Sequence, residues 1–312
     1  MKVFVTGSSG FVGHELLQYL GHNDILVQAG VRTKTEHSSR LSSQNIEFVE
    51  TGDLSEITDF EFLNGCDAVV HLAGRAHVMN DTSENPKGEY ERINTLATEK
   101  LARAAKLKKI KKFIFISTIK VNGESTVDGS PFFADAQPAP TDFYAISKLN
   151  AELSLLKMHQ ADVFDVVVIR PPLIYGDNPK GNLKTLSKII DLGLPLPFGN
   201  ITNKRSLVHV LNLCDLILTC LKHPSAAGQI FLVADSAPYS LTTLIRHMAD
   251  LRKRAVRLFP FPQVWMMTIL KWLGLNSLVD RLFGNLEVSI EKNKSLLGWR
   301  APYSFDGTKS NP

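Results

Sequence analysis

The sequence predicts an α/β fold, a doubly wound parallel sheet with a smaller, mostly helical C-terminal substrate-binding portion. Three observations carry this. The first two-thirds of the 312-residue chain alternates strand-like and helix-like segments. The strand-like segments are continuous apolar runs, such as Ala68-Val69-Val70-His71-Leu72-Ala73 and Phe113-Ile114-Phe115-Ile116, the pattern of strands buried on both faces. A glycine turn, Thr6-Gly7-Ser8-Ser9-Gly10-Phe11-Val12-Gly13, joins the first strand to the first helix.

The elements follow in order. Val3, Phe4 and Val5 mark a strand at 2–6, and Val12, Leu16, Leu17 and Leu20 recur at helical spacing over about 12–21. Further strands are expected at 25–31, 46–50, 67–73, 112–117 and 163–170, with helices between them at about 56–63, 90–107 and 143–160. Such a sheet is of the Rossmann type, with its ligand crevice at the C-terminal strand ends. After about residue 175 the rhythm changes. Pro179, Gly181, Gly193, Pro195, Pro197 and Gly199 interrupt the chain, and helical patterns dominate at about 182–192, 210–222, 241–254, 263–273 and 286–297. The expected division is 1–175 for a nucleotide-binding domain, to which the chain returns around 205–233, and 176–312 mainly for the substrate.

Composition excludes several function classes. A net charge of +4 is too small to argue for nucleic acid, and the basic run Lys106, Lys108, Lys109, Lys111, Lys112 reads as a solvated helix end. Three cysteines without a C-x-x-C pair fit reduced thiols in the cytoplasm, and the nine histidines show no metal-ligand spacing. The N-terminus runs straight into a strand, with no signal peptide pattern. The most apolar C-terminal stretch, Val264 to Leu275, is broken by Lys271 and is shorter than the roughly 20 residues that span a bilayer. It reads as an amphipathic packing helix, with peripheral membrane contact as the alternative.

Two constellations carry chemistry. The turn around Gly7, Gly10 and Gly13 lets backbone approach a pyrophosphate, while Phe11 and Val12 open a helix whose free N–H groups and dipole favour an anion. In Tyr144-Ala145-Ile146-Ser147-Lys148, residues four apart share a helix face, so Tyr144 and Lys148 point into one crevice. A neighbouring ammonium brings a phenol toward acid–base range. At the end of the second strand, Arg32 lies 19 residues after Gly13, with no acidic residue beside it in sequence. An arginine there accommodates a ribose 2′-phosphate, which favours NADP(H) over NAD(H). His71, inside an apolar strand, reads as a satisfied core histidine.

The spacing G-x-x-G-x-x-G, the Y-x-x-x-K helix and several strand-end segments together resemble the extended short-chain dehydrogenase/reductases, the NAD-dependent epimerase/dehydratase family, over nearly the whole chain. Ser117-Thr118-Ile119-Lys120-Val121-Asn122-Gly123 resembles the family's S-S/T-x-x-V-Y-G segment. The resemblance implies a catalytic set of Thr118, Tyr144 and Lys148, with Ser117 as a cofactor contact. It also implies an adenine-side element at Asp53-Leu54, a nicotinamide-side segment at Leu72-Ala73-Gly74, and Pro171 over the nicotinamide. Arg205 matches an arginine that contacts the nucleotide diphosphate, with Asn182 and Arg281 as further candidates. Arg75 and His77 follow the 67–73 strand and are candidates for the sugar pocket. Leu173 stands where many relatives have Asn, and Asn122 stands where they have Tyr. The ending Leu297-Gly298-Trp299-Arg300-Ala301-Pro302 resembles the family's L-G-W-x-P terminus.

The segments His71–Asp81 and Ile116–Gly123 are especially similar to bacterial O-antigen enzymes acting at C4 of UDP-N-acetylhexosamines. This implies NADPH-dependent reduction of a UDP-4-keto-6-deoxy-N-acetylhexosamine. The alternative is a UDP-glucose or UDP-N-acetylglucosamine 4-epimerase with retained NAD. A dehydratase is disfavoured, because Ile119 and Lys120 follow Thr118 where an acid is usual. A non-catalytic NADP(H)-binding sensor is the alternative of another class. The resemblance further implies a homodimer through helices including 90–107 and 143–160, and a UDP-sugar as the partner.

Overall fold

The computed structural model describes residues 1–33, 44–76, 83–176 and 182–309, apart from the side chains of Asn182 and Ser277. Its centre is a seven-stranded parallel sheet in the order β3-β2-β1-β4-β5-β6-β9. The strands are β1 (Lys2–Thr6), β2 (Leu26–Val31), β3 (Ile46–Glu50), β4 (Ala68–His71), β5 (Lys112–Ile116), β6 (Asp165–Arg170) and β9 (Ile230–Leu232). The order reverses between β1 and β4, and that switch point opens the crevice of a doubly wound sheet.

The apolar runs explain the layering. Val3 and Val5 face one side of the sheet and Phe4 the other, and all three are fully buried. On one face lie α1 (Phe11–His22) and α6 (Val210–Lys222), which bury Leu16, Leu17, Leu20, Leu213 and Ile217 against β1, β2 and β5. On the other face α2 (Pro86–Tyr90) passes through a π-helical stretch (Glu91–Leu96) into α3 (Ala97–Leu107). Beside it runs α4 (Phe143–Met158), which Asp142 caps by accepting a 2.7 Å bond from Ala145 N. Leu101, Ala105, Ala151 and Leu155 fill that layer.

Two short parallel strands, β7 (Leu173–Tyr175) and β8 (Leu207–His209), form a separate ladder between the sheet and the C-terminal portion. There, α5 (Asn182–Asp191), α7 (Leu241–Leu251), α8 (Gln263–Trp272) and α9 (Asn276–Phe283) enclose a core of Leu183, Ile190, Ile245, Met266, Val279 and Phe283. The chain then comes back to the large sheet. The short α10 (Glu291–Leu297) ends at Gly298, whose φ of +65° is the left-handed cap that glycine adopts at no steric cost. Leu297 and Trp299 beyond it enter the main core.

Two expected elements differ, and one helix was not expected. The helix at 56–63 is reduced to a single 3-10 turn at Glu61–Leu63, because the Asp59 side chain accepts from Glu61 N and starts the local structure only there. The helix at 286–297 begins only at Glu291. Its first residues pair as extended chain instead: Leu286 N donates to Lys204 O, Ser206 N to Leu286 O, and Ser289 N to Phe132 O. α9 had no counterpart in the sequence pattern.

Candidate active site

The crevice is built from strand ends. Gly7 sits at φ +66° just after β1, in the left-handed region that a side chain disfavours. A Cβ on Gly13 would lie 2.2 Å from Gly7 O, so α1 seats directly on the turn. Gly10 N donates to Gly7 O at 2.9 Å and closes it, leaving Phe11 and Val12 as the first residues of α1. Ser8 Oγ donates to Gly30 O at 2.6 Å, tying the turn to β2. The turn is thus held from three sides with its helix N-terminus open.

Arg32 and Asp53 lie at the neighbouring strand ends, both exposed. Gly52 N donates to Arg32 O, so the chain after β3 runs alongside β2 at this point. The Asp53 carboxyl is held below its ordinary pKa by the Ser55 backbone N–H and hydroxyl, and further by Arg92 and Arg32 nearby. The fold therefore brings an acidic group to Arg32 that sequence order did not place beside it. Leu54 follows, half-buried.

Beyond β4, Leu72, Ala73 and Gly74 pass against the glycine turn. A Cβ on Gly7 would meet Ala73 N at 2.8 Å. The amides of Leu72 and Ala73 both donate to Thr6 Oγ1 at 3.1 Å. That hydroxyl therefore gives its proton to His71 Nδ1 at 2.7 Å, and His71 Nε2 meets Thr98 Oγ1 at 2.9 Å. His71 is a satisfied core histidine, and burial pushes its pKa down to about 3.

Thr118, Tyr144 and Lys148 converge. Thr118 lies just past β5 and caps a 3-10 turn at Ile119–Val121. Its hydroxyl hydrogen-bonds the Tyr144 phenol. Burial pushes Tyr144 up to about 12, and the Thr118 bond acts against that rise. Lys148 is buried; its Nζ donates to Ile116 O at 2.9 Å and lies 4.5 Å from the centre of the Phe115 ring. Burial brings its pKa down to about 8. A Cβ on Gly74 would stand 3.2 Å from Lys148 Nζ, so the lysine spans from β5 to the loop after β4. Ser117 is buried beside them, and its Oγ has no hydrogen-bond partner among the described residues. The following Pro171 holds the floor of this wall by accepting from Ile119 N at 2.9 Å.

Asn94, in the π-helical stretch, went unnoticed in the sequence. It accepts from Arg75 N at 2.7 Å and donates to Arg75 O and to Ser147 Oγ, so one side chain joins the loop after β4 to the helix of Tyr144. The available signal was a cluster of polar residues, Asn94, Thr95 and Thr98, all buried on a helix face otherwise filled by Leu101, Ala102 and Ala105. Lys120 Nζ donates to Asp142 at 2.6 Å and Glu124 at 2.8 Å, so the residue after the expected acid position is itself neutralised. Asn122 accepts from Arg170 Nη1 at 2.9 Å, and Arg170 also pairs with the buried Glu152. The Asn that replaces a Tyr thus completes a buried polar group.

On the C-terminal side, Arg205 is half-buried, and Nη1 donates to Asp280 O at 3.2 Å and Gly284 O at 3.1 Å, at the end of α9. Burial lowers its pKa; Glu124 acts against this, and the charge of Arg281 adds to it. The fold brings Arg205 and Arg281 together, next to the loop that follows Thr118. The Arg75 guanidinium stands 5.5 Å from the centre of the Tyr90 ring, and that ring is 6.2 Å from Tyr144. Asn182 opens α5, with its side chain outside the described residues, as is His77.

Comparison with known proteins agrees with this architecture. Residues 3–234 match the model of the NAD dependent epimerase/dehydratase family. A UDP-glucose 4-epimerase of Vibrio cholerae is 41% identical over 308 residues, covering 97% of this chain and 92% of its own. Among solved structures, a UDP-glucuronic acid 4-epimerase from Bacillus cereus, in complex with NAD, superposes with a TM-score of 0.74 at 20% identity, covering 98% of this chain and 95% of that one. RMD from Pseudomonas aeruginosa, complexed with NADPH, superposes with a TM-score of 0.71 at 23% identity, covering 98% and 96%.

Proposed function

The chain belongs to the NAD dependent epimerase/dehydratase family, and from that premise we propose that it transfers hydride at C4 of a UDP-hexose. The observation that carries the reading is the convergence of Thr118, Tyr144 and Lys148 beside the glycine turn. A bound nicotinamide dinucleotide supplies the hydride exchange. The residues present fit such a group. Side chains at Gly7 and Gly13 would strike backbone, and Ser117 Oγ is buried without a partner among the described residues. In this reading the turn, Phe11 and Val12 hold the pyrophosphate, Asp53 and Leu54 the adenine side, and Leu72–Gly74, Ser117, Lys148 and Pro171 the nicotinamide side.

Tyr144 then gives or takes the proton on the C4 oxygen. Thr118 donates a hydrogen bond to the phenolate and orients the sugar hydroxyl. Lys148, charged below about pH 8, favours the phenolate electrostatically. Arg205 and Arg281 meet the diphosphate with planar donor forks, and Asn182 and Arg75 bound the sugar. Residues 176–312 form most of the sugar side in this assignment. The same reading pairs two copies through α2–α3 and α4, where Leu96 and Leu153 are 53% and 49% exposed.

The first form of the reaction is 4-epimerisation, favoured by the Vibrio cholerae relative that matches nearly the full chain. The second is NADPH-dependent reduction of a UDP-4-keto-6-deoxy-N-acetylhexosamine, favoured by the exposed Arg32 at the end of β2. One experiment separates them. Interconversion of UDP-glucose with UDP-galactose, or of their N-acetyl forms, without added cofactor marks the epimerase. Stoichiometric loss of NADPH absorbance with the keto sugar marks the reductase, and Arg32→Asp then weakens NADPH relative to NADH by about tenfold. Binding of dinucleotide with neither turnover overturns the proposal in favour of a sensor. Tyr144→Phe lowers turnover by about 10²–10⁴-fold while dinucleotide affinity is kept; unaltered turnover rejects Tyr144 as the acid–base group.

A further inference from the structure

The outer face of α8 is apolar. Val264, Trp265, Ile269 and Trp272 are 72%, 67%, 49% and 84% exposed. Residues 265, 269 and 272 recur at helical spacing and share one face. Met266, Met267 and Leu270 turn the other way, into the C-terminal core. Leu273 and Leu275 extend the exposed surface past the end of the helix. Soluble monomers rarely leave such a patch uncovered.

The charge of the surrounding segment is predominantly positive. Residues 241–285 hold seven Lys and Arg against two Asp, a surplus of five, while the whole chain has a surplus of four. Lys253, Arg254 and Arg257, in the segment leading into α8, are exposed, as is Lys271 on the flank of the tryptophan face, while Arg252 pairs with Asp191. Tryptophan at the edge of apolar surface together with basic residues is the composition that suits the headgroup layer of an anionic bilayer.

We propose that α8 docks this protein on the surface of an anionic lipid bilayer, with Trp265, Ile269 and Trp272 in the headgroup layer and the 253–257 segment and Lys271 supplying the electrostatic attraction. No helix among the described residues is long and apolar enough to cross a membrane, so the contact is a surface one. A second copy of the chain is the poorer occupant, since a two-fold contact through this face sets the basic segment against itself. The proposal does not depend on the reaction catalysed.

The test uses the full chain with sedimented vesicles of phosphatidylethanolamine and phosphatidylglycerol, against vesicles of phosphatidylcholine alone. Binding to the anionic vesicles is expected, with a blue shift of tryptophan fluorescence. It should fall about tenfold or more in Trp265→Ser/Trp272→Ser, and similarly in Lys253→Glu/Arg254→Glu or at high salt. These side chains are exposed, so circular dichroism should show both variants folded. Three results overturn the proposal: no sedimentation with anionic vesicles, equal binding to phosphatidylcholine, or a dimer that the tryptophan variant converts to monomer.

Discussion

His71 is locked into one tautomer by its neighbours. Thr6 has already accepted from two amides and must donate to Nδ1, so the ring proton sits on Nε2 and points to Thr98. Charging this ring would leave a donor facing a donor in a buried place. The consequence for stability has a definite sign. The folded pKa is about 3 against 6.5 for an unperturbed histidine. The unfolded chain therefore binds the extra proton first, and stability falls as pH drops from about 6.5 toward 3. The loss by pH 5 is about 2 kcal/mol from this group. Urea titrations at pH 7 and pH 5 should show it, and His71→Gln, which does not titrate, should remove that part of the slope. An equal slope in the variant would falsify the assignment. Burial acts on Tyr144 and Lys148 in the same sense, against the charged form. The two are displaced apart, Tyr144 up to about 12 and Lys148 down to about 8, each toward its neutral form.

The glycine turn and α1 act as one element. Gly13 is helical and needs no special backbone angle, yet its missing side chain is what lets the helix start against Gly7 O. Gly13→Ala forces a Cβ into backbone, which has no flexible end to yield. The expected cost is about 1–3 kcal/mol, with dinucleotide affinity lost before the fold is. Thermal melts with and without cofactor check this: the variant should melt lower and gain less from ligand. The sequence made this element legible because strand, turn and helix were all local. The sheet strands were legible for the same reason, as runs such as Phe113–Ile116 are apolar on both faces. The segment at 285–289 was not, since its partners Lys204, Ser206 and Phe132 lie about 80 and 155 residues upstream, and pairing across that distance overrides helical spacing. The π-helical stretch was hidden too. Its extra residue per turn changes which side chain faces inward, and Asn94, which reaches both Arg75 and Ser147, lies within it. The shared face of Tyr144 and Lys148 was readable from helical spacing, while Thr118 was placed by the resemblance of its segment to the family pattern. The closeness of Asp53 to Arg32 was not readable, because it depends on adjacent strand ends.

At the scale of the whole molecule, the two portions are stitched rather than joined once. Asp215 in α6 accepts from Tyr19 of α1 at 2.7 Å and from Trp299 Nε1 at 2.7 Å. Trp299 is 5% exposed and belongs to the core of the large sheet. Residues near the C-terminal end of the described chain thus complete the core of the large sheet. Trp299→Ala should destabilise by about 3–5 kcal/mol, and the loss should appear as one cooperative transition by both near-ultraviolet circular dichroism and dinucleotide binding. Retained dinucleotide affinity with a normal melting temperature would separate this segment from that core.

The last strand of the large sheet has a further consequence. β6 pairs with β9 through Val168↔Ile230, Ile169↔Phe231 and Arg170↔Leu232, some sixty residues apart. During synthesis at the ribosome, the free edge of Val166-Val167-Val168-Ile169 stands unpaired until that later segment has emerged. An open edge of this kind pairs readily with other nascent chains. Yield in cells should therefore be limited by the interval between these two strands, when the sheet is nearly built but still has a side to offer.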